Sequence, residues 1–298
     1  MAAQTPEDDA AVTPPPVPSR DILELPPPPA DERLPDGEDP LQFGDLRLPG
    51  GPGPHPLVIF VHGGFWRAEY ALDYFGHACA ALAAEGIATW NIEYRRIGNP
   101  GGAWPGTFLD VANAADHARV LAEDYALDTD RIIAVGHSAG GHLALWLAGR
   151  NRIPEGNVLY TDNPLHLRAA ISLGGVADLR QAWELGLGEG VARELLGGTP
   201  EEYPERFAAT SPADLLPLGV RQILIHGELD VPVPYATCRG YAARAAASGD
   251  EVTFIGLPDT GHFEIVDPRA ALWRHVRDAI NEALGIASLD ISALFDQK

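Results

Sequence analysis

Gly136-His137-Ser138-Ala139-Gly140 is a serine between two glycines. The apolar run Ile132–Val135 leads into it, and the helix-forming stretch Gly141–Leu147 leads out. The Gly-x-Ser-x-Gly pattern makes a sharp strand-to-helix turn that lifts the hydroxyl above the end of a sheet. A serine hydroxyl attacks a carbonyl only when a positioned base takes its proton and a third group orients that base. Further along, Ile223-Leu224-Ile225 runs into His226-Gly227-Glu228-Leu229-Asp230-Val231-Pro232. Asp230 is the candidate acid, preferred to Glu228, which sits nearer the turn itself. His262, in Pro258-Asp259-Thr260-Gly261-His262-Phe263, is the candidate base. The gaps of 92 and 32 residues leave room for an insertion and then for one helix and strand. This constellation suits acyl transfer through an acyl-enzyme.

Such a reaction also needs backbone N–H groups aimed at the developing oxyanion, each worth about 2.7–4 kcal/mol of barrier. His62-Gly63-Gly64-Phe65-Trp66 directly follows the apolar run Leu57–Val61, and its glycine pair lets the backbone approach a substrate closely. The N–H of Gly64, joined by that of Gly63 or Phe65, and that of Ala139 after the nucleophile are the candidate donors. Trp66, His137, Trp104 and Trp183 are candidate pocket-lining side chains. None of the ten histidines forms a His-x-x-x-His pair, so neither a metal nor another cofactor is expected.

The elements that must position these residues alternate between strand and helix. Apolar runs at Leu57–Val61, Ile87–Tyr94, Arg131–Val135, Ala169–Leu173, Gln222–Ile225 and Glu251–Leu257 read as buried strands. Apolar stripes at three- and four-residue steps predict helices over 108–125, 235–245 and 272–284. This is an α/β pattern: a mainly parallel central sheet flanked by helices. Residues 179–217, rich in Gly and Pro, break the rhythm and are expected to form a small cap-like insertion over the active site, helical near Val191–Leu196. Residues 1–40 hold 11 Pro and 10 acidic residues against two Arg. They read as a disordered leader, dispensable for hydrolysis. The domain then spans 41–286, and 287–298 is a C-terminal tail.

Composition excludes several function classes. The formal net charge is −21, of which −8 lies in residues 1–40, so phosphate-neutralising nucleic-acid binding and anionic membranes are not expected. Lys298 is the only lysine, which removes Schiff-base and P-loop chemistry. No apolar stretch reaches membrane-spanning length. Cys79 and Cys238 are the only cysteines, too few for a disulfide framework. With no basic and apolar signal-peptide pattern at the N-terminus, the cytoplasm is the expected compartment.

Residues 57–285 resemble the α/β-hydrolase superfamily, in its esterase/lipase branch with an HGG oxyanion motif. His62–Trp66 is similar to the motif of kynurenine formamidases and of bacterial feruloyl- and acetyl-xylan-esterase-like hydrolases. So are Asn91-Ile92-Glu93-Tyr94-Arg95 and Trp104-Pro105 followed by Asp110. The lipase branch usually carries a third glycine where Phe65 stands. The resemblance implies a Ser138–His262–Asp230 hydrolase of a small carboxylic ester. The alternative is an arylformamidase-like enzyme acting on N-formylkynurenine. A non-catalytic hydrolase-fold binder, using the acidic Pro-rich leader as its interaction element, is a third reading. The partner is a small-molecule ester or amide, and the oligomeric state is open.

Overall fold

A computed structural model describes residues 20–286. Eight strands form one sheet: β1 (Glu32–Pro35), β2 (Phe43–Arg47), β3 (His55–Val61), β4 (Ala88–Ile92), β5 (Leu127–His137), β6 (Ala169–Leu173), β7 (Arg221–Gly227) and β8 (Val252–Leu257). Their spatial order is β1-β2-β4-β3-β5-β6-β7-β8. The strands from β4 to β8 along this order pair in parallel, while β2 pairs antiparallel with both β1 and β4.

Side chains alternate across a strand, so one continuous apolar run feeds two cores. On β3, Leu57, Ile59 and Val61 join one apolar cluster, and Val58 and Phe60 join the other. Helices Gly106–Asp116, Ala118–Asp124, Ala139–Gly149 and Tyr235–Ala247 cover the first face. Helices Gly76–Ala84 and Trp273–Leu284 cover the second. The apolar stripe predicted over 108–125 is shared by two successive helices, with His117 between them.

The predicted leader needs correction. Residues 20–40 belong to the folded domain, and 1–19 lie outside the described residues. Ile22 is 1% exposed and packs in the second core. Arg47 donates to the Pro28 carbonyl at 2.7 Å, Leu48 N–H to Asp31 Oδ2 at 2.7 Å, and Arg33 pairs with Asp45 at 2.6 Å. Proline has no N–H to satisfy, so a Pro-rich stretch can lie against a domain at little hydrogen-bonding cost. The tail at 287–298 also lies outside the described residues.

Parallel strands end on the same edge. Val61 is in register with Gly136, His137 with Leu173, and Gly227 with Leu257. The segments after β3, β5, β7 and β8 therefore converge above that edge.

Candidate active site

Ser138 sits at the tip of the turn between β5 and the helix Ala139–Gly149, at φ 56°, ψ −120°. A non-glycine residue at positive φ is a strained conformation, costing about 1–3 kcal/mol, that only surrounding structure can hold. Here Ser138 N–H donates to Leu173 O at 2.9 Å, and Ser138 O accepts from His142 N–H at 3.2 Å. Gly140 has to be glycine: a Cβ there would overlap the carbonyl oxygens of Val61 and His62. That close approach presses the serine turn against the loop after β3.

In that loop Gly64, Phe65 and Trp66 all have positive φ, at 106°, 51° and 55°. A Cβ on Gly64 would overlap the Tyr70 ring. His62 anchors the turn from below, with Nδ1 2.8 Å from Gly63 O and Nε2 2.9 Å from Glu93 Oε1. Tyr94 stacks on the His62 ring at 4.4 Å and donates to His62 O. Burial would raise the Glu93 carboxyl, but His62 and the Arg96 guanidinium at 3.0 Å outweigh it, and its pKa is lowered. Arg96 also donates to the Tyr70 carbonyl. The Asn91–Arg95 signature thus buttresses the loop after β3, and Arg95 grips Asp110 at 2.6 and 2.7 Å.

Gly63 departs from the expectation. Its N–H donates to Tyr74 Oη at 2.6 Å, so it is not free for an oxyanion. Tyr74 Oη in turn lies 3.1 Å from His137 Nδ1, and His137 Nε2 lies 2.9 Å from the His262 carbonyl. A carbonyl only accepts, so Nε2 carries the ring proton and Nδ1 accepts from the tyrosine. Burial holds His137 well below its usual pKa, with the nearby His262 adding to the effect. The neutral ring fits that polarity. One chain of hydrogen bonds therefore ties the loop after β3, the serine turn and the histidine loop together. Tyr74→Phe leaves the Gly63 N–H and His137 Nδ1 buried without a partner. It should lower the unfolding free energy by about 1–3 kcal/mol, read as an earlier urea midpoint.

The loops that carry Asp230 and His262 are packed on one another. Leu229 N–H donates to Thr260 O at 2.9 Å, and a Cβ on Gly227 would overlap that same carbonyl oxygen. Asp230 Oδ2 is 2.6 Å from His262 Nδ1, while Oδ1 accepts from Val233 N–H at 2.8 Å. Glu228 points to solvent. A second histidine also touches the acid: His226 Nε2 is 3.2 Å from Asp230 Oδ2 and 2.9 Å from Val233 O. Burial would raise the Asp230 carboxyl, but the hydrogen bonds from His226 and His262 hold it well below the usual carboxylate range. It is ionised throughout the neutral range.

Ser138, His137 and His262 line one cleft of about 80 Å³, together with Gly64 and Phe65. Its other walls carry no motif that the sequence could have flagged: Arg20, Leu23, Tyr70, Tyr74, Pro232 and Phe263. Position alone hints at Pro232 and Phe263, beside the acid and the base. Of the aromatic candidates, Trp66, Trp104 and Trp183 are elsewhere. Trp66 turns into the core and meets His142 edge-on at 5.2 Å. Trp104 packs against the same core with Arg206 over its ring. Trp183 borders a separate groove with Arg193 and Glu194.

The insertion is also displaced from its expected role. Its helices are Leu179–Glu184, Leu187–Leu196, Pro204–Thr210 and Pro212–Leu215. Among the described residues none of 179–217 lines the cleft. Phe65 fills the space over Gly188, Arg67 donates to Gly188 O at 3.1 Å, and Trp146 and His142 bond to Ala209 O and Thr210 O. The insertion braces the loop after β3 and the serine helix from outside; Arg20 and Leu23 supply part of the cleft wall instead. No helix of the described residues is long and apolar enough to cross a membrane, and no cluster of three metal-ligating side chains occurs among them.

Comparison with known proteins bears on family and fold. The BD-FAE family profile matches residues 45–243. Esterase LipC of Mycobacterium tuberculosis (strain ATCC 25618 / H37Rv) is 31% identical over 253 residues, covering 78% of this chain and 59% of its own. Esterase LipQ of the same organism is 26% identical over 243 residues, covering 78% and 55%. The chain thus spans little more than half the length of these curated relatives. Among solved structures, a truncated carbohydrate esterase from gut microbiota superposes with a TM-score of 0.70 at 23% identity, covering 86% of this chain and 99% of that one. The Thermogutta terrifontis esterase Est2 gives 0.70 at 22%, covering 89% and 96%. At such identities the likeness bears on the fold, which is that of an α/β-hydrolase. With the profile matched from 45 to 243 and the sheet shared with these esterases, the chain belongs to the BD-FAE family, within the α/β-hydrolase esterase/lipase group.

Proposed function

We propose that this protein is a serine hydrolase of carboxylic esters with small acyl groups. The observation that carries the reading is His262, oriented by Asp230 at 2.6 Å, in the same cleft as a serine at φ 56°. Ser138 Oγ attacks the ester carbonyl carbon while His262 Nε2 takes its proton; Asp230 holds the imidazolium that forms. The N–H groups of Gly64, Phe65 and Ala139 receive the oxyanion, the Gly63 amide being committed to Tyr74. Collapse expels the alcohol, which takes the proton from His262, and water repeats the sequence on the acyl-enzyme. The esterase relatives favour an ester as the scissile bond. A cleft of about 80 Å³ is far below the roughly 300–1,000 Å³ of drug-sized sites, which favours short acyl chains. Both cysteines are free and buried, and burial pushes the Cys79 thiol up to about 12; inert thiols suit a reducing cytoplasm.

The test is a panel of 4-nitrophenyl acetate, butyrate and octanoate with N-formylkynurenine, alongside fluorophosphonate labelling of Ser138. Acetate or butyrate turnover above octanoate is the expected result. Turnover of the formamide alone would replace the ester reading by the arylformamidase one. Absence of both labelling and turnover would leave a non-catalytic binder.

A further inference from the structure

Among the described residues the cleft has one fixed charge that the proposed reaction does not use. Arg20 lines the same cleft as Ser138, and its guanidinium carbon lies 5.4 Å from the centre of the Phe263 ring, next to the proposed base His262. The other walls, Leu23, Phe65, Tyr70, Pro232 and Phe263, are uncharged. Among the described residues no carboxylate forms an ion pair with Arg20, whereas most arginines of this acidic chain are paired. Its backbone is held in place by its neighbours: residues 21–23 form one helical turn, and Ile22 is anchored in the core.

We propose that Arg20 reads a carboxylate on the substrate, so that the preferred ester carries a negative charge beside its scissile bond. This rests on the serine-hydrolase reading and extends it. A net charge of −21 repels anions from most of the surface, so the one cation that lines the cleft among the described residues favours entry of an anionic ester. A guanidinium presents a planar pair of donors that matches a carboxylate. The Phe263 face fixes its approach without neutralising it. The apolar walls lower the local dielectric, which strengthens the attraction. The substrate class is thus a monoester of a dicarboxylic acid, or an ester whose alcohol bears a carboxylate.

Two matched pairs test this on the full-length chain. Mono-4-nitrophenyl succinate against 4-nitrophenyl butyrate puts the charge in the acyl chain; 4-acetoxybenzoate against phenyl acetate puts it in the leaving group. In at least one pair Arg20→Gln should lower the anionic-to-neutral ratio of kcat/KM about tenfold, chiefly through KM, and Arg20→Glu should lower it further. Where turnover is slow, protection of Ser138 from the fluorophosphonate by butyrate relative to butyramide reads the same selectivity. Arg20 is exposed, so its replacement leaves the fold intact. A ratio unchanged within about twofold in both pairs and in the protection assay would overturn the proposal, since a merely structural contact with Phe263 slows both members alike. A wild-type protein that neither labels nor hydrolyses any of the four esters would instead sink the hydrolase reading beneath it.

Discussion

Ser138→Ala is expected to lower kcat for a 4-nitrophenyl ester by about 10⁴–10⁶ and to abolish fluorophosphonate labelling, with KM little changed. The serine hydroxyl is the atom that becomes covalently bonded, so no neighbour can take its place. Asp230→Asn should cost about 10⁴ for a different reason. An amide can donate, so it can trap the wrong tautomer of His262 at a contact of 2.6 Å. It also removes the only negative charge between two histidines, His226 and His262. Glu228→Gln, outside this contact, serves as the control. A serine variant that retained more than about a hundredth of the rate would show that hydrolysis runs through another group.

Removing residues 1–40 is expected to cost folding as well as rate, contrary to what their composition suggests. The truncation takes away the β1–β2 pairing, the Arg33–Asp45 ion pair, the cap that Pro28 gives to Arg47, and the buried Ile22. Burial of one such side chain is worth about 1.5–3 kcal/mol, against a typical total of about 5–15. It also opens the cleft by deleting Arg20 and Leu23. We expect a thermal midpoint lower by at least about 5 °C and a rate loss beyond tenfold. A truncation starting at Arg20 keeps all of these contacts and is the matched control. Equal melting of the two truncations would refute the structural role of 20–40.

These outcomes separate what a sequence can carry from what it cannot. The placement of Ser138, Asp230 and His262 at one edge of the sheet was legible because each follows a strand and sits in a local turn. Parallel pairing then brings them to one edge. The Gly63 amide was misjudged because its availability depends on Tyr74, eleven residues away on another element. Trp66, Trp104 and Trp183 were misplaced because an aromatic side chain looks the same in sequence whether it fills a core or a pocket. Segment 20–40 was hidden by its own prolines and acids. What orders it is non-local: a four-residue strand finding Phe43–Arg47, and one isoleucine finding a core.

Strand β1 also bears on the exposed edge of the sheet. It is the outermost strand on its side of the sheet, only four residues long, mostly exposed, and built of Glu32, Arg33, Leu34 and Pro35. Two charges and a residue that lacks an N–H make a poor template for a further strand. Behind it lies β2, whose residues 44–47 are buried and whose backbone β1 occupies. Glu32 and Pro35 therefore act as a guard against edge-to-edge association. A protein stripped of β1 would expose the longer, unpaired backbone edge of β2 and should self-associate with a steep dependence on concentration, which light scattering would register.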